Sequence, residues 1–149
     1  MRYIGWGLFL VLAAGCAHQS RLLLPGPPRT DEIGALLDGT RLAPGENIRV
    51  TPLPPGEHAS VSLVQIRDRE QPHVHTRYDL TVLLVRGAGT LNLDGRNLPM
   101  RAGDSAFIPR GTPHYFVNEG GTPAAALVTF APPFDGSDQQ PLAPAGDKP

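Results

Sequence analysis

The chain has 149 residues, enough for one domain with a real core and too few for two. Glycine and proline number 17 each, which points to a fold with many turns. A formal net charge of −1, with no run of like charges, leaves no electrostatic footprint for nucleic acid and no charged tail.

At the N-terminus Arg2 is followed by an apolar stretch, residues 4–14, too short to span a bilayer as a stable helix. Small residues come next, and Leu12-Ala13-Ala14-Gly15-Cys16 resembles the lipobox of bacterial lipoprotein signal peptides. The resemblance implies cleavage before Cys16 and acylation of its thiol (palmitate) and of the new amine. The mature protein would then be lipid-anchored in the cell envelope. Ala17 stands where an Asp would resemble inner-membrane retention, which implies the outer membrane, facing the periplasm. Two or more acyl chains suffice for stable anchoring. The alternatives are an ordinary secretory signal with Cys16 as an incidental thiol, or an uncleaved anchor. Cys16 is the only cysteine, so a disulfide within the domain is excluded and the fold must rest on its core or a ligand.

Residues 16–45 read as a tether, Pro-rich and aperiodic at first. A short helix is expected over 31–38, capped by Thr30-Asp31-Glu32, with Ile33, Leu36 and Leu37 on one face and Gly39 ending it. Residues 46–134 read as an all-β barrel. Residues 60–66 are apolar on both faces of a strand, residues 80–85 are β-rich, and Asp94-Gly95 favours a tight type I′ hairpin. Further runs at 97–100, 105–108, 114–118 and 124–130 give turn signals at the spacing of a sandwich or barrel. Phe107, Leu83, Val85, Leu91, Leu93 and Val128 read as core. Residues 135–149 read as a Pro-rich tail that leaves the fold.

His73-Val74-His75 puts two imidazoles on one face of a strand, with Val74 pointing the other way. Asp79 keeps the parity of 73 and 75 and reaches the same face if the strand is unbroken. His114 follows Pro113 at the start of another β run. Three imidazoles and a carboxylate make a plausible set of ligands for a divalent transition metal.

Gly103-Asp104-Ser105-Ala106-Phe107-Ile108-Pro109-Arg110-Gly111-Thr112-Pro113-His114-Tyr115-Phe116-Val117-Asn118 meets every fixed position of the second motif of the cupin family, and His73, His75 and Gly87 fit the first. The segment from 59 to 130 thus resembles a cupin. The resemblance implies a double-stranded β-helix (jelly-roll) barrel holding a metal through His73, His75, Asp79 and His114, with sheet-edge pairing into a homodimer. Two positions depart from the family pattern. The leading Gly of the first motif is Arg67. The Glu position falls on Leu80 counted back from Gly87, and on Asp79 counted forward from His75, so Asp79 is either a ligand or a salt-bridge residue, with Arg77 as a candidate partner.

The remaining candidates have plainer readings. His58 and His18 read as solvated, and Tyr78, Tyr115 and Phe116 as barrel core or rim. Arg77 and Arg110 read as surface, each able to bind an anion. Phosphate loops and Ser/His/Asp or Cys-based sites have no signature here. The expectation is a lipid-anchored periplasmic metal-binding protein, its ion Fe, Mn, Zn, Ni or Cu, with its activity on a small molecule undetermined; for an enzyme, the resemblance implies a metal-dependent dioxygenase, isomerase or decarboxylase. The alternative is a non-catalytic ligand-binding module or interaction platform on the envelope. Specific catalytic residues are not identified at this level.

Overall fold

The computed structural model describes residues 21–23 and 30–142. The expected signal peptide and Cys16 lie outside the described residues. The described chain forms β1 (Arg21–Leu23), β2 (Thr30–Glu32), α1 (Ile33–Gly39), β3 (Ile48–Pro52), β4 (Ser60–Ile66), β5 (His73–His75) and β6 (Asp79–Arg86). It continues with β7 (Ala88–Leu93), β8 (Arg96–Arg101), β9 (Ser105–Ile108), β10 (His114–Asn118), β11 (Ala124–Ala131) and β12 (Gln139–Pro141).

Two five-stranded antiparallel sheets, in the orders β12-β5-β10-β7-β8 and β3-β4-β11-β6-β9, make the double-stranded β-helix expected from the sequence. Alternation along the strands decides what each sheet buries. In β4, Val64 and Ile66 turn into the barrel, while Leu63 turns outward beneath α1. In β11, Ala124, Ala126, Val128 and Phe130 turn inward and Ala125 outward. This is why both strands are apolar on both faces: one face lines the barrel and the other seats a helix. Ile33 and Leu37 of α1 bury against Leu63 and Ala125. Each such fully buried aliphatic side chain contributes roughly 1.5–3 kcal/mol. Behind the helix Thr40 is held by Gln65, whose amide donates to the Thr40 carbonyl at 2.6 Å.

Asp94 and Gly95 both have positive φ (50° and 76°), as a type I′ turn demands, and they close the β7–β8 hairpin. Other expectations need correction. Phe107 is 61% exposed and Leu83 38%, so neither is core. The inward positions of β9 and β6 belong to Ala106, Ile108, Leu80, Val82 and Leu84. Part of the expected tether forms β1, paired with β2.

Of the segment read as a departing tail, residues 135–142 instead return to the barrel. Phe134 packs on the core and β12 pairs with β5, Gln139 opposite His75. Asp138 fastens this return: buried itself, it accepts from the Thr76 hydroxyl and the Arg77 backbone N–H, both at 2.7 Å.

Candidate metal centre

His73 and His75 stand on β5 with Val74 between them, and His114 opens β10 directly opposite His73. The turn before β10 aims His114. Gly111 takes φ 78°, a left-handed conformation that a side chain would strain, and its N–H donates to the His75 carbonyl at 2.6 Å. At the far end of β10 the Asn118 amide donates to the carbonyls of Arg67 and Thr122, tying the following turn. The second motif is therefore a device for holding one histidine between two anchored turns.

The three imidazoles are 3%, 5% and 4% exposed at His73, His75 and His114. One ring nitrogen from each lies within 4.8 Å of those of the other two. Ring centroids are 4.3 Å apart for His73 and His114, 5.2 Å for His73 and His75, and 5.7 Å for His75 and His114.

Hydrogen bonds set the tautomers. His73 Nδ1 meets the Gln71 carbonyl at 2.8 Å and His114 Nδ1 meets that of Thr112 at 2.9 Å. A carbonyl only accepts, so both Nδ1 atoms carry the proton and both neutral rings present a bare Nε2 lone pair. His75 Nδ1 is buried without a well-formed hydrogen bond, although the Asp138 backbone lies near enough to favour its protonated form.

Burial also disfavours the charged form of His75 and His114. It lowers His114 to about 4, helped by His73 and His75 and opposed by the Thr112 carbonyl. Burial and then His73 lower His75 as well, against Asp138. Clustered imidazoles with an unsatisfied buried nitrogen suit a transition-metal ion: the donors are convergent and dry.

Asp79 does not join them. Its carboxylate accepts from the Arg110 backbone N–H at 2.9 Å and from the Arg110 guanidinium at 2.8 Å, and those bonds hold it down to about 2. The parity argument fails because β5 ends at His75. The bend at 76–78 carries the chain into the opposite sheet, where Asp79 turns outward and Leu80 inward. Leu80 thus occupies the family's carboxylate position with hydrocarbon. Arg77 pairs with Asp135 instead. Arg67, at the family's glycine position, is not left-handed, and it donates to the carbonyls of Glu46 and Ala43. His58 is exposed in its loop, and Tyr115 lies half-buried under Arg69.

A cavity of about 290 Å3 opens from the histidines into the barrel. Its only lining carboxylate among the described residues is Glu70, absent from every motif position. The residue is partly exposed, yet its carboxylate is enclosed: burial raises it, while His73 and the Phe116 N–H oppose the rise. Glu70 accepts from that N–H at 2.9 Å and its own N–H donates to the Phe116 carbonyl. It thereby completes β10 where Pro72 interrupts the β5 pairing. Its setting in the sequence, Arg67-Asp68-Arg69-Glu70-Gln71, reads as a solvated turn and carries no signal. Tyr78, Phe130 and Phe134 surround His75 edge-on, with ring centroids 6.4, 5.7 and 5.8 Å away.

Residues 53–130 match the family model described as Cupin domain. An uncharacterised protein of Aquifex aeolicus is 38% identical over 93 residues, covering 62% of this chain and 76% of its own. Among solved structures, TT1209 from Thermus thermophilus is 25% identical with a TM-score of 0.58, covering 66% of this chain and 95% of that one. KdgF from Halomonas sp. is 25% identical with a TM-score of 0.57, covering 64% and 86%.

Proposed function

The chain belongs to the cupin domain family, and we propose that it is a lipid-anchored envelope protein holding one divalent transition-metal ion and acting on a small molecule in its barrel. The convergence of His73, His75 and His114 at the end of a cavity carries this reading. Nε2 of His73 and of His114 and one ring nitrogen of His75 would hold the ion. When bound through three imidazoles, such an ion keeps open positions and supplies Lewis-acid activation. The carbonyls of Gln71 and Thr112 orient their rings for that role.

The protein's own contribution to chemistry lies in Glu70 and the aromatic wall. Glu70 is the cavity's one carboxylate among the described residues, placed by the Phe116 N–H, and its raised affinity for a proton suits it to take and return one. Tyr78, Phe130 and Phe134 keep water from the His75 side. The lipobox-like Leu12-Ala13-Ala14-Gly15-Cys16 supports anchoring through Cys16, in the outer membrane facing the periplasm.

Element analysis of protein purified from the periplasmic side tests the metal. About one equivalent of a single transition metal is expected in the wild type and little in His114→Ala; wild-type protein without stoichiometric metal would refute the reading. Cys16→Ala should release the protein from membranes, and unchanged membrane association would refute acylation there.

A further inference from the structure

We propose that the ligand of this cavity is a small molecule, apolar over most of its length, with one oxygen-bearing polar end that meets the metal. The inference rests on the reading of His73, His75 and His114 as a metal-holding end and adds the chemical class of what binds there. Among the described residues, the polar side chains lining the cavity are those three histidines, Glu70 and Gln139. The remaining wall is hydrocarbon and aromatic, with Val64, Leu84, Met100 and Ile108 among its aliphatic members. Phe130 and Phe134 stack at 4.5 Å with planes 17° apart, making a flat plate beside His75.

Beyond the metal end, a charged group finds no partner in this wall. Among the described residues it is lined by no arginine, and the one lysine of the chain, Lys148, is not among them. Arg49, Arg77 and Arg110 are engaged by Glu46, Asp135 and Asp79 on the outside of the barrel. Arg67 is turned to the Glu46 and Ala43 carbonyls, and Arg69 to the Tyr115 ring. A sugar phosphate entering here could offer one oxygen to the ion but would leave its other polar atoms dehydrated against hydrocarbon.

A polyol fares little better. Each hydroxyl placed against the aliphatic wall loses its water partners unreplaced, at a cost of about tenfold in affinity. The volume of about 290 Å3 corresponds to roughly ten water-sized units at ~30 Å3 each. A compact ligand with one polar end fits that space and that lining.

The test uses cobalt(II)-loaded full-length protein titrated with n-alkyl hydroxamic acids of two to six carbons, and with ribose 5-phosphate for comparison. Absorbance of the cobalt reports loading first and ligand binding second. Affinity should rise about fourfold per added methylene until the cavity is filled. Ala126→Leu, which adds bulk inside the barrel, should bring that plateau to a shorter chain. An affinity that is flat along the series, or ribose 5-phosphate binding more tightly than the six-carbon hydroxamate, would overturn the inference. Failure of cobalt to load would instead remove the metal reading. The ligand class is then read from thermal stabilisation of the metal-free protein, where 1-hexanol should exceed 1-butanol and equal effects would overturn it.

Discussion

His114 and His73 sit directly opposite each other across the β5–β10 ladder, ring centroids 4.3 Å apart, each with its Nδ1 turned to a carbonyl two residues earlier in its own chain segment. The same device is used twice, from two strands 41 positions apart. Pairing fixes the backbones and the carbonyls fix the rings, so two bare nitrogens converge before any ligand arrives.

The first consequence concerns acid. The folded protein holds His114 at about 4, against 6.5 ordinarily, mainly through burial. The unfolded chain therefore takes up this proton first as pH falls. Stability from this group is fully present above pH 6.5 and is lost between 6.5 and about 4, a change on the order of 3 kcal/mol. Urea denaturation of metal-free protein across that range should show the slope, and His114→Gln should flatten it. An unchanged slope in the variant would refute the assignment.

Glu70 has two separable jobs. Glu70→Gln keeps an oxygen for the Phe116 N–H and should leave folding stability nearly unchanged. Glu70→Ala strands that buried N–H and should cost roughly 1–3 kcal/mol. With a turnover assay in hand, Glu70→Gln should still lose about 100-fold or more if the carboxylate moves a proton. Wild-type turnover in Glu70→Gln would reduce the residue to its structural task.

Much of this architecture is legible in the residues, and the failures share a cause. Alternation within a continuous strand shows which faces are apolar, as in β4 and β11, and Asp94-Gly95 marks a hairpin by its own φ requirements. His114 is legible because Gly111 and Asn118 write its turns into the sequence. Asp79 is misplaced because parity ends where a strand ends, and the bend at 76–78 changes sheets. Phe107 is misplaced because a short edge strand does not declare which of its apolar neighbours faces inward. Glu70 and β12 are held by backbone pairing and single hydrogen bonds, which leave no periodic trace.

Asp79 is thus a surface partner of Arg110. Asp79→Ala should leave metal content and affinity as in the wild type. Its stability effect should appear only above the acidic range: the carboxylate is held at about 2 by Arg110, so its contribution is present above pH 3.8 or so and fades as pH falls towards 2. Weaker metal binding in this variant would restore Asp79 as a ligand.

Asp138 closes the barrel beside the site. Asp138→Ala removes the acceptor for the Thr76 hydroxyl and the Arg77 N–H, and it should loosen β12, which carries Gln139 opposite His75. Hydrogen exchange should quicken at Gln140 and Leu142 while the β11 amides stay protected. Unchanged exchange at β12 would show that pairing alone secures it.

X-ray absorption of the metal-loaded protein addresses the centre most directly. Three imidazole ligands should be seen in the wild type and fewer in His114→Ala, with the Asp79→Ala spectrum matching that of the wild type. A wild-type spectrum with fewer than three imidazoles, or one that changes on Asp79→Ala, would contradict a centre built on His73, His75 and His114.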